Sequence, residues 1–440
     1  MLFRSVIARR FINLAAHGRF FLTNSDLLWR SKFFVTLRNQ SRVLARTLPL
    51  APEGMPRLEA AVGLVIAGLA LNDDMSVAQG LTRLDGELAR QFLPDGGHVG
   101  RSPEMLARSF QLLAMLTQGL EITGHVVPDS LRGALDRMAL ALRFFRMGDG
   151  GLSVVNGGGE SDPRLVTSLL ERSDIQGPPY GHSPHSGYQR LAAGRAIVVF
   201  DVGPPPPGPF SIEAHAGCLA FEFSSGNQRV VVNCGSARPD MERATENWAT
   251  ALRRTAAHST LTLADTSSAV VLPAGFLRDT LGPQLFDGPQ YVETAREELA
   301  EGTLATGKQD GYLVRFGIAH ERRVVLSTKG HTLTGVDCLS PLPSRRGRGR
   351  RQPPVLNFAI RFHIHPDIRL SLAQNGGSVI LKLPSGEGWR FRCGGGNLAI
   401  EESIYLGSGR VRRTEQLVVT GTVRDDVVEC AWVFENMAAQ

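Results

Sequence analysis

The spacing of apolar residues changes once along this chain, and that change limits the possible folds more than any other feature. Up to about residue 146, Leu, Ala and Met recur at helical spacing between short polar breaks. From about residue 187 to the end, short runs alternate apolar and polar residues and are bounded by turn residues. The sequence therefore predicts an α+β multidomain protein, in which a helical domain precedes a large antiparallel β-sandwich.

The predicted boundaries divide the 440 residues into a helical domain (1–146), an inter-domain crossing (147–186) and a sandwich (187–440). The clearest helical segments are Leu58–Leu71, Met75–Phe92, Pro103–Leu120 and Leu131–Phe145. Short loops between amphipathic helices indicate antiparallel neighbours, as in a bundle or an α/α toroid. The crossing is rich in glycine, proline and histidine, and its glycine run lacks the lysine and the strand–helix context of a phosphate loop.

Charge and cysteine content exclude several classes of protein. The net charge of +6 and the pI near 9.3 suit an acidic partner such as a polyanionic glycan, although one arginine-rich loop, 345–351, could account for the excess. That loop lacks the interleaved aromatic residues of a nucleic-acid reader, so no nucleic-acid partner is predicted. Five dispersed cysteines without a CxxC pair predict neither a zinc ribbon nor a disulfide framework. No signal peptide and no transmembrane segment is predicted.

The stretch from Glu213 to Asp265 contains the most compact group of candidate site residues. His215, Asn233 and His258 fall at the edges of three segments with the period-2 pattern of half-buried strands. If these strands are neighbours, the three side chains meet near one end of a sheet. The sequence therefore predicts a polar cluster there.

Two further segments present polar groups in loops. In F-L-P-D-G-G-H-V-G-R-S, a Pro-Asp-Gly-Gly turn places His98 and Arg101 just before a helix that starts at Pro103. At the end of the crossing and the start of the sandwich, His182, His185 and Tyr188 could line a cleft where domains meet. For both segments, an ordinary solvated loop or linker is the alternative interpretation.

Four motifs together resemble the heparinase II/III-like polysaccharide lyases, and the likeness extends over most of the chain. They are Asp95-Gly96-Gly97-His98-Val99-Gly100-Arg101-Ser102-Pro103, Ala214-His215-Ala216-Gly217-Cys218-Leu219-Ala220-Phe221-Glu222, Val232-Asn233-Cys234-Gly235 and Arg254-Thr255-Ala256-Ala257-His258-Ser259-Thr260. The likeness also includes Gly311-Tyr312 and His320-Glu321-Arg322. The resemblance implies an incomplete α/α toroid, an antiparallel β-sandwich, and a cleft that holds an acidic polysaccharide for β-elimination.

That reaction needs a group to neutralise the uronate carboxylate and a base to take the C5 proton. By resemblance, Arg101 and Arg190 are expected to pair with carboxylates or sulfates, with His182 as a further substrate contact. His98 or Tyr188 is expected to act as the base.

This sequence departs from the family pattern at two positions. The helical motif commonly ends S-P-x-Y, but Met105 occupies the tyrosine position. The sheet motif commonly reads H-x-H-A-D, and Glu213 replaces its first, catalytic histidine. Met105 cannot shuttle a proton. Glu213 could, although its charge repels a polyanion unless burial raises its pKa.

The resemblance also implies a structural zinc ion at His215, Asn233 and His258. A neutral amide is a weak replacement for the usual aspartate, so a hydrogen-bonded cluster without metal is the alternative. His363 and His365, two apart on a predicted strand, form a second and weaker candidate pair.

Two classes of function follow from these observations. The first is a carbon–oxygen lyase that cleaves an acidic, uronate-containing polysaccharide. The second is a non-catalytic glycan-binding or cell-envelope polysaccharide-assembly protein on the same scaffold. By resemblance the expected location is the cell envelope or periplasm. A family toroid usually needs more helices than about 150 residues supply, so an upstream start and an export signal stay open, as does the cytoplasm.

Overall fold

The computed structural model describes residues 3–173, 175, 177–237, 246–342, 354–373 and 376–439, and the predicted arginine-rich loop lies outside them. The eight helices described before the β-strands are α1 (Phe3–Ala16), α2 (Gly18–Leu22), α3 (Leu27–Thr47), α4 (Met55–Leu71), α5 (Asp74–Gln91), α6 (Pro103–Ile122), α7 (Asp129–Phe145) and α8 (Pro163–Glu171). The predicted helical N-terminal part is confirmed, and the four segments chosen from periodicity are α4 to α7.

Local sequence explains where the central helices begin and end. Helix α4 starts after Gly54, has proline in its first turn, and ends at Asn72, whose left-handed backbone (φ 52°) stops it. Asp73 then caps α5 by accepting a hydrogen bond from the backbone N–H of Ser76. Helix α4 is buried over most of its length, and Gly63 on it approaches α1 so closely that a Cβ there would lie 2.8 Å from the Cβ of Ala8. A central helix that is apolar on nearly all sides fits this position.

The chain divides into two compact units. The helical unit comprises Met1–Val99, Met105–Ala141 and Leu169–Gly177, and the sandwich unit comprises Gly100–Glu104, Leu142–Ser168 and Pro178–Gln440. The predicted crossing, 147–186, is therefore shared between the two units. Its residues 147–168 belong with the β-sheets, and part of it forms α8.

The sandwich unit contains nineteen described strands, all paired antiparallel. They are β1 (His182–Ser183), β2 (Tyr188–Ala193), β3 (Ala196–Asp201), β4 (Phe221–Ser225), β5 (Gln228–Val232), β6 (Leu261–Leu263), β7 (Val270–Val271), β8 (Leu285–Phe286), β9 (Val292–Glu298), β10 (Gly302–Gln309), β11 (Ile318–Ser327), β12 (Thr332–Pro341), β13 (Leu356–Ile364), β14 (Arg369–Leu372), β15 (Ser378–Lys382), β16 (Gly388–Gly394), β17 (Asn397–Tyr405), β18 (Arg412–Val423) and β19 (Val428–Asn436). Three short helices, α9 (Glu246–Ala251), α10 (Phe276–Leu281) and α11 (Leu313–Phe316), lie between strands.

Two sheets form the sandwich. One runs β1-β2-β3-β4-β5-β13-β18-β17, with β6 also paired to β13, and the other runs β14-β15-β16-β19-β12-β11-β10-β9. Aromatic residues from both pack in the core: Phe221 stacks on Trp432 with ring centroids 5.4 Å apart, and Phe362 contacts the same indole at 5.0 Å. The predicted antiparallel β-sandwich is confirmed.

Some strands differ from the alternation that predicted them. The segment from Gly311 to His320 is not one strand, because α11 and Gly317 (φ 70°) turn the chain before β11 begins. Strand β9 was not predicted, because exposed Glu and Arg side chains dominate it. Strand β17 was not predicted either, although Leu398 and Ile400 alternate with exposed residues and pack against the core. Among the described residues, no helix is long and apolar enough to cross a membrane.

Candidate functional site

Arg101 is buried in the sandwich unit and binds groups of the protein itself. Its side chain is 7% exposed and forms an ion pair and hydrogen bond with Asp201 at the end of β3. The guanidinium also donates to four backbone carbonyls, those of Ser186, Gly187, Gly203 and Pro204. Burial opposes its charge, but the carboxylate of Asp201 outweighs that effect and the pKa of Arg101 is raised. The side chain that the resemblance assigns to a substrate carboxylate thus has an internal carboxylate as its partner.

Tyr188 belongs to the same buried group. Its hydroxyl donates to the backbone oxygen of Arg101 at 2.7 Å and accepts from the Asn156 side-chain amide at 2.6 Å. The Arg101 guanidinium lies 4.6 Å from the centre of the Tyr188 ring. Burial raises the pKa of Tyr188 well above its ordinary value, since no water can stabilise the phenolate. In this state the phenol is a structural hydrogen-bonding group.

Arg190 lies two residues further along β2 and has different partners. One guanidinium nitrogen donates to the backbone oxygens of Phe144 and Arg146, both at 2.9 Å. Burial lowers the pKa of Arg190 to about 10. The structure therefore brings Arg101 and Tyr188 together, whereas Arg190 supports a separate piece of backbone in the same unit.

The remaining catalytic and substrate candidates differ in exposure. His98, in the helical unit, lies 3.5 Å from the Gln91 side-chain oxygen and packs edge-on against Phe92. Burial lowers the pKa of His98 to about 4, so the ring is neutral at pH 7. His182 is half-buried in β1, opposite Gln189.

Glu213 is exposed, and Met105 is half-buried. Gly157 (φ 79°) of the glycine-rich loop packs closely against the backbone of Glu213. A Cβ at position 157 would lie 2.3 Å from the carbonyl oxygen of Glu213, so only glycine fits there. Three predicted catalytic residues, Arg101, Tyr188 and Glu213, lie in the sandwich unit, and of these only Glu213 is exposed.

The predicted cluster of His215, Asn233 and His258 is buried in the sandwich unit. His215 Nδ1 and His258 Nε2 lie 3.1 Å apart, and His258 Nδ1 lies 2.9 Å from the backbone oxygen of Arg254. Asn233 donates from its amide to the Val154 carbonyl at 3.0 Å and accepts from the Ser259 N–H at 2.9 Å. Burial lowers the pKa of both histidines, that of His258 to about 4.

These donors do not make up a zinc site by themselves. If His258 Nδ1–H donates to Arg254, its Nε2 has a free lone pair, as metal coordination requires. However, the two rings already contact each other directly, and both ends of the Asn233 amide are engaged. Within the described part of the chain, no group of three or more His, Cys, Asp or Glu side chains is placed to hold a metal ion. Zinc binding and a hydrogen-bonded cluster without metal both stay predictions, and no step below depends on either.

His363 and His365 do not form a pair. His363 contacts the Ser403 hydroxyl at 2.7 Å and the Ala256 carbonyl at 3.0 Å, both through ring nitrogens. His365 lies beyond the end of β13, with its Nε2 3.3 Å from a carboxylate oxygen of Glu160. The two rings thus have separate partners.

The glycine-rich loop, residues 148–161, is held on the sandwich unit by buried charges. Arg229 on β5 forms an ion pair with Asp149 at 2.7 Å and donates to the Leu152 carbonyl at 2.8 Å. Glu222 on β4 accepts hydrogen bonds from the backbone N–H groups of Val154 and Asn233. Burial raises the pKa of Glu222 to about 7, against the opposing effect of Arg229.

The end of this loop is fixed by Glu160. One of its carboxylate oxygens accepts a hydrogen bond from the Tyr405 hydroxyl at 2.6 Å and also faces His365. Burial favours the neutral acid, but His365, Arg229 and Tyr405 together lower the pKa of Glu160 to about 2. The carboxylate is therefore ionised at neutral pH.

Sequence analysis did not single out Asp201, Asn156, Glu222 or Glu160 as site residues. A usable signal was present for two of them, because Asp201 ends the apolar run A-I-V-V-F and Glu222 interrupts L-A-F-E-F. A carboxylate in a strand that is otherwise buried needs a partner. Its partner could not be read from the sequence, since Arg101 lies 100 residues from Asp201.

Comparison with known proteins agrees with this architecture. A family model described as heparinase II/III-like, C-terminal, matches residues 175–433. FtsZ-localized protein C of Caulobacter vibrioides (strain NA1000 / CB15N) is 35% identical over 375 residues, which cover 84% of this chain and 63% of that protein. The chain thus spans less than two thirds of that relative's length.

Two solved structures have the same fold. A crystal structure of heparinase III matches with a TM-score of 0.76 at 12% identity, covering 99% of this chain and 69% of that chain. Heparan sulfate lyase HepC from Pedobacter heparinus matches with a TM-score of 0.68 at 14% identity, covering 98% of this chain and 67% of that chain. Identities this low establish the fold alone.

Proposed function

The chain belongs to the heparinase II/III-like family, and on that premise we propose that it binds an acidic, uronate-containing polysaccharide of the cell envelope without cleaving it. The observation behind this proposal is that Arg101, Tyr188 and Arg190, the groups expected to neutralise and deprotonate a uronate, are buried and bonded to the protein itself. The Arg101 guanidinium cannot neutralise a uronate without leaving the buried Asp201 carboxylate unpaired.

Two substitutions point the same way. Met105 supplies no proton-transfer group where the family tyrosine is expected. Glu213 stands where the catalytic histidine is expected, so the imidazole base of the family pattern is absent. The net charge of +6 still favours acidic ligands over neutral ones.

The cell-envelope location is a separate part of the proposal. The relative that is 35% identical is named FtsZ-localized protein C, and that name says nothing of a polysaccharide. This part is tested by fractionating cells that express the tagged chain and by imaging its position relative to the division site.

β-Elimination is the second candidate function, and the exposure of Glu213 favours it. Unlike Tyr188, this carboxylate can contact a solvent-borne substrate and accept a proton. The reaction would then be that of a carbon–oxygen lyase, with Glu213 as the base that takes the C5 proton.

One experiment separates the two candidates. The chain is incubated with heparin-like, alginate-like and bacterial exopolysaccharide uronates, while absorbance of the unsaturated uronate and gel retardation are both recorded. We expect retardation by at least one polymer and a flat absorbance trace on all of them. A rise in absorbance that Glu213→Gln abolishes, and that the matched variant Glu401→Gln on exposed β17 preserves, would establish the lyase instead. No retardation by any polymer would overturn glycan binding.

A further inference from the structure

Apart from the arginine-rich loop 345–351, the positive charge of this protein is concentrated near its N-terminus. Residues 1–50 contain nine Lys or Arg residues and one acidic residue, Asp26, whereas the whole chain has a net charge of only +6. The rest of the chain is therefore slightly acidic overall. Asp26 caps α3 by accepting from the Trp29 N–H at 2.7 Å, so the one carboxylate of this region serves a helix terminus.

Helix α2 and the first half of α3 expose many large apolar side chains. We call residues 18–36 the N-terminal arm, and no residue of this arm is buried against the described chain. Phe20 and Leu27 are each 83% exposed and Leu28 is 67% exposed. The nine large apolar residues of the arm are Phe20, Phe21, Leu22, Leu27, Leu28, Trp29, Phe33, Phe34 and Val35. An exposed apolar surface of this density indicates a binding function.

The arm is preformed rather than loose. The Arg30 guanidinium donates to the Leu22 carbonyl at 2.8 Å and to the Ser25 hydroxyl at 3.2 Å, which fixes α2 against α3. Trp29 and Phe33 stack on each other with ring centroids 5.1 Å apart. The apolar side chains are therefore presented without a large ordering cost.

Helix α3 combines apolar and basic residues on its exposed side. Leu28, Val35 and Arg42 are spaced by seven residues and so lie along one face, away from buried Leu37 and Leu44. Leu27 and Phe34 flank this line in the first half of the helix. In the second half, the exposed residues Arg38, Arg42 and Arg46 follow at intervals of four. One face thus changes from apolar to basic along its length.

From these observations we propose that the N-terminal arm and the basic half of α3 bind the surface of an anionic lipid bilayer. Aromatic and leucine side chains enter the boundary between headgroups and acyl chains, while arginines contact lipid phosphates. Charge complementarity selects this occupant, because an apolar protein partner would not require three consecutive turns of exposed arginine. No described helix can span a bilayer, so the helix lies on the membrane surface and does not cross it.

The test uses the 440-residue chain and vesicles without any polysaccharide, so its outcome is independent of the proposed glycan binding. Sedimentation is compared between phosphatidylcholine vesicles and vesicles that also contain about one third phosphatidylglycerol. We expect binding to the anionic vesicles to be at least about tenfold stronger and to weaken with salt. A blue shift of tryptophan fluorescence on binding should be lost in Trp29→Phe.

Variants locate the contact. Leu28→Glu is expected to weaken anionic-vesicle binding by at least about tenfold, because a leucine no longer enters the apolar layer and a like charge is added. Arg38→Glu with Arg42→Glu is expected to weaken it by a similar factor. Phe276→Glu, which is 82% exposed on α10, is the matched control and should bind as the unaltered chain does.

Several outcomes would overturn the proposal. They are equal binding to neutral and anionic vesicles, no binding to either, or an equal loss in Phe276→Glu. If Leu28→Glu instead changes the molar mass in light scattering while vesicle binding is absent, the arm is a contact between copies of this chain and the membrane proposal is wrong.

Discussion

Replacing Arg101 distinguishes an internal role from a substrate-binding role more directly than any other change. Arg101→Ala removes an ion pair in which the side chains are 7% and 4% exposed, and it leaves the Asp201 charge buried. What remains near that carboxylate is the Asn156 amide at 3.4 Å and the Gly203 N–H at 3.2 Å. Removing one member of a buried pair typically costs about 3–5 kcal/mol. Since carbonyl partners of the guanidinium are lost as well, we expect the unfolding free energy of the sandwich unit to fall by about 4 kcal/mol or more.

The assay is urea unfolding followed by tryptophan fluorescence, because Trp389 and Trp432 are buried in the same unit. Asp201→Asn in the Arg101→Ala background removes the unpaired charge, so we expect it to recover part of the loss, roughly 1–3 kcal/mol. Arg369→Ala removes an exposed arginine of the same unit and should change stability by no more than about 0.5 kcal/mol.

The result that would refute this reasoning is specific. If Arg101→Ala unfolds within about 1 kcal/mol of the unaltered chain but loses retardation by acidic polysaccharides, the guanidinium serves the ligand and its internal bonds are dispensable. A double-mutant cycle gives a second check. If Arg101 and Asp201 form an internal pair, the losses of unfolding free energy in Arg101→Ala and Asp201→Asn should not add up to the loss in the double variant; if Arg101 serves the substrate, they should add.

Three further predictions follow from neighbouring groups. Tyr188→Phe removes a hydroxyl with two buried partners and should lower stability by about 1–3 kcal/mol in the same urea assay, without any change in ligand retardation. The purified chain should contain far less than one zinc per chain, and chelation should leave its melting temperature unchanged; stoichiometric zinc in elemental analysis would show that the histidine pair holds a metal. The pKa of Glu222 is raised by burial to about 7 from 4.5, so the fold favours its protonated form. Its contribution, on the order of 3 kcal/mol, is present below pH 4.5 and is lost as pH rises through 7. The stability difference between the unaltered chain and Glu222→Gln should therefore shrink along that window, and a difference that is flat with pH would contradict the assignment.

The order of elements was predictable because it depends on local patterns. Period-3.6 and period-2 spacing of apolar residues identified helices α4 to α7 and most of the sandwich strands, since each of these elements buries one face or its whole length. Strand β9 was missed for the complementary reason, because most of its side chains are exposed. The backbone hydrogen bonds of β9 and β17 come from neighbouring strands that no local pattern reveals.

The candidate site was less predictable because its contacts are distant in sequence. The pairing of His215 with His258 was anticipated from the order of strands, and the structure places the two rings in contact. The roles expected for Arg101 and Tyr188 depended on exposure, and a motif does not specify exposure. The glycine-rich loop was interpreted as a crossing between domains. Its contacts with Arg229 could not be predicted, because Asp149 and Leu152 lie 80 and 77 residues away from Arg229 in the sequence.

The positions where this chain keeps or departs from the family pattern follow a physical rule. Arg101 and His215 match the pattern and are buried, each bonded to other parts of the sandwich unit, so replacing either one disturbs the fold itself. Glu213 and Met105 depart from the pattern and are exposed or half-buried, and a change at such positions costs little stability. Chemistry that depends on accessible residues can therefore be lost while the buried framework persists. A scaffold that loses accessible proton-transfer groups and keeps its buried framework is expected to keep its shape and its ligand affinity. Binding without elimination is therefore the better-supported proposal.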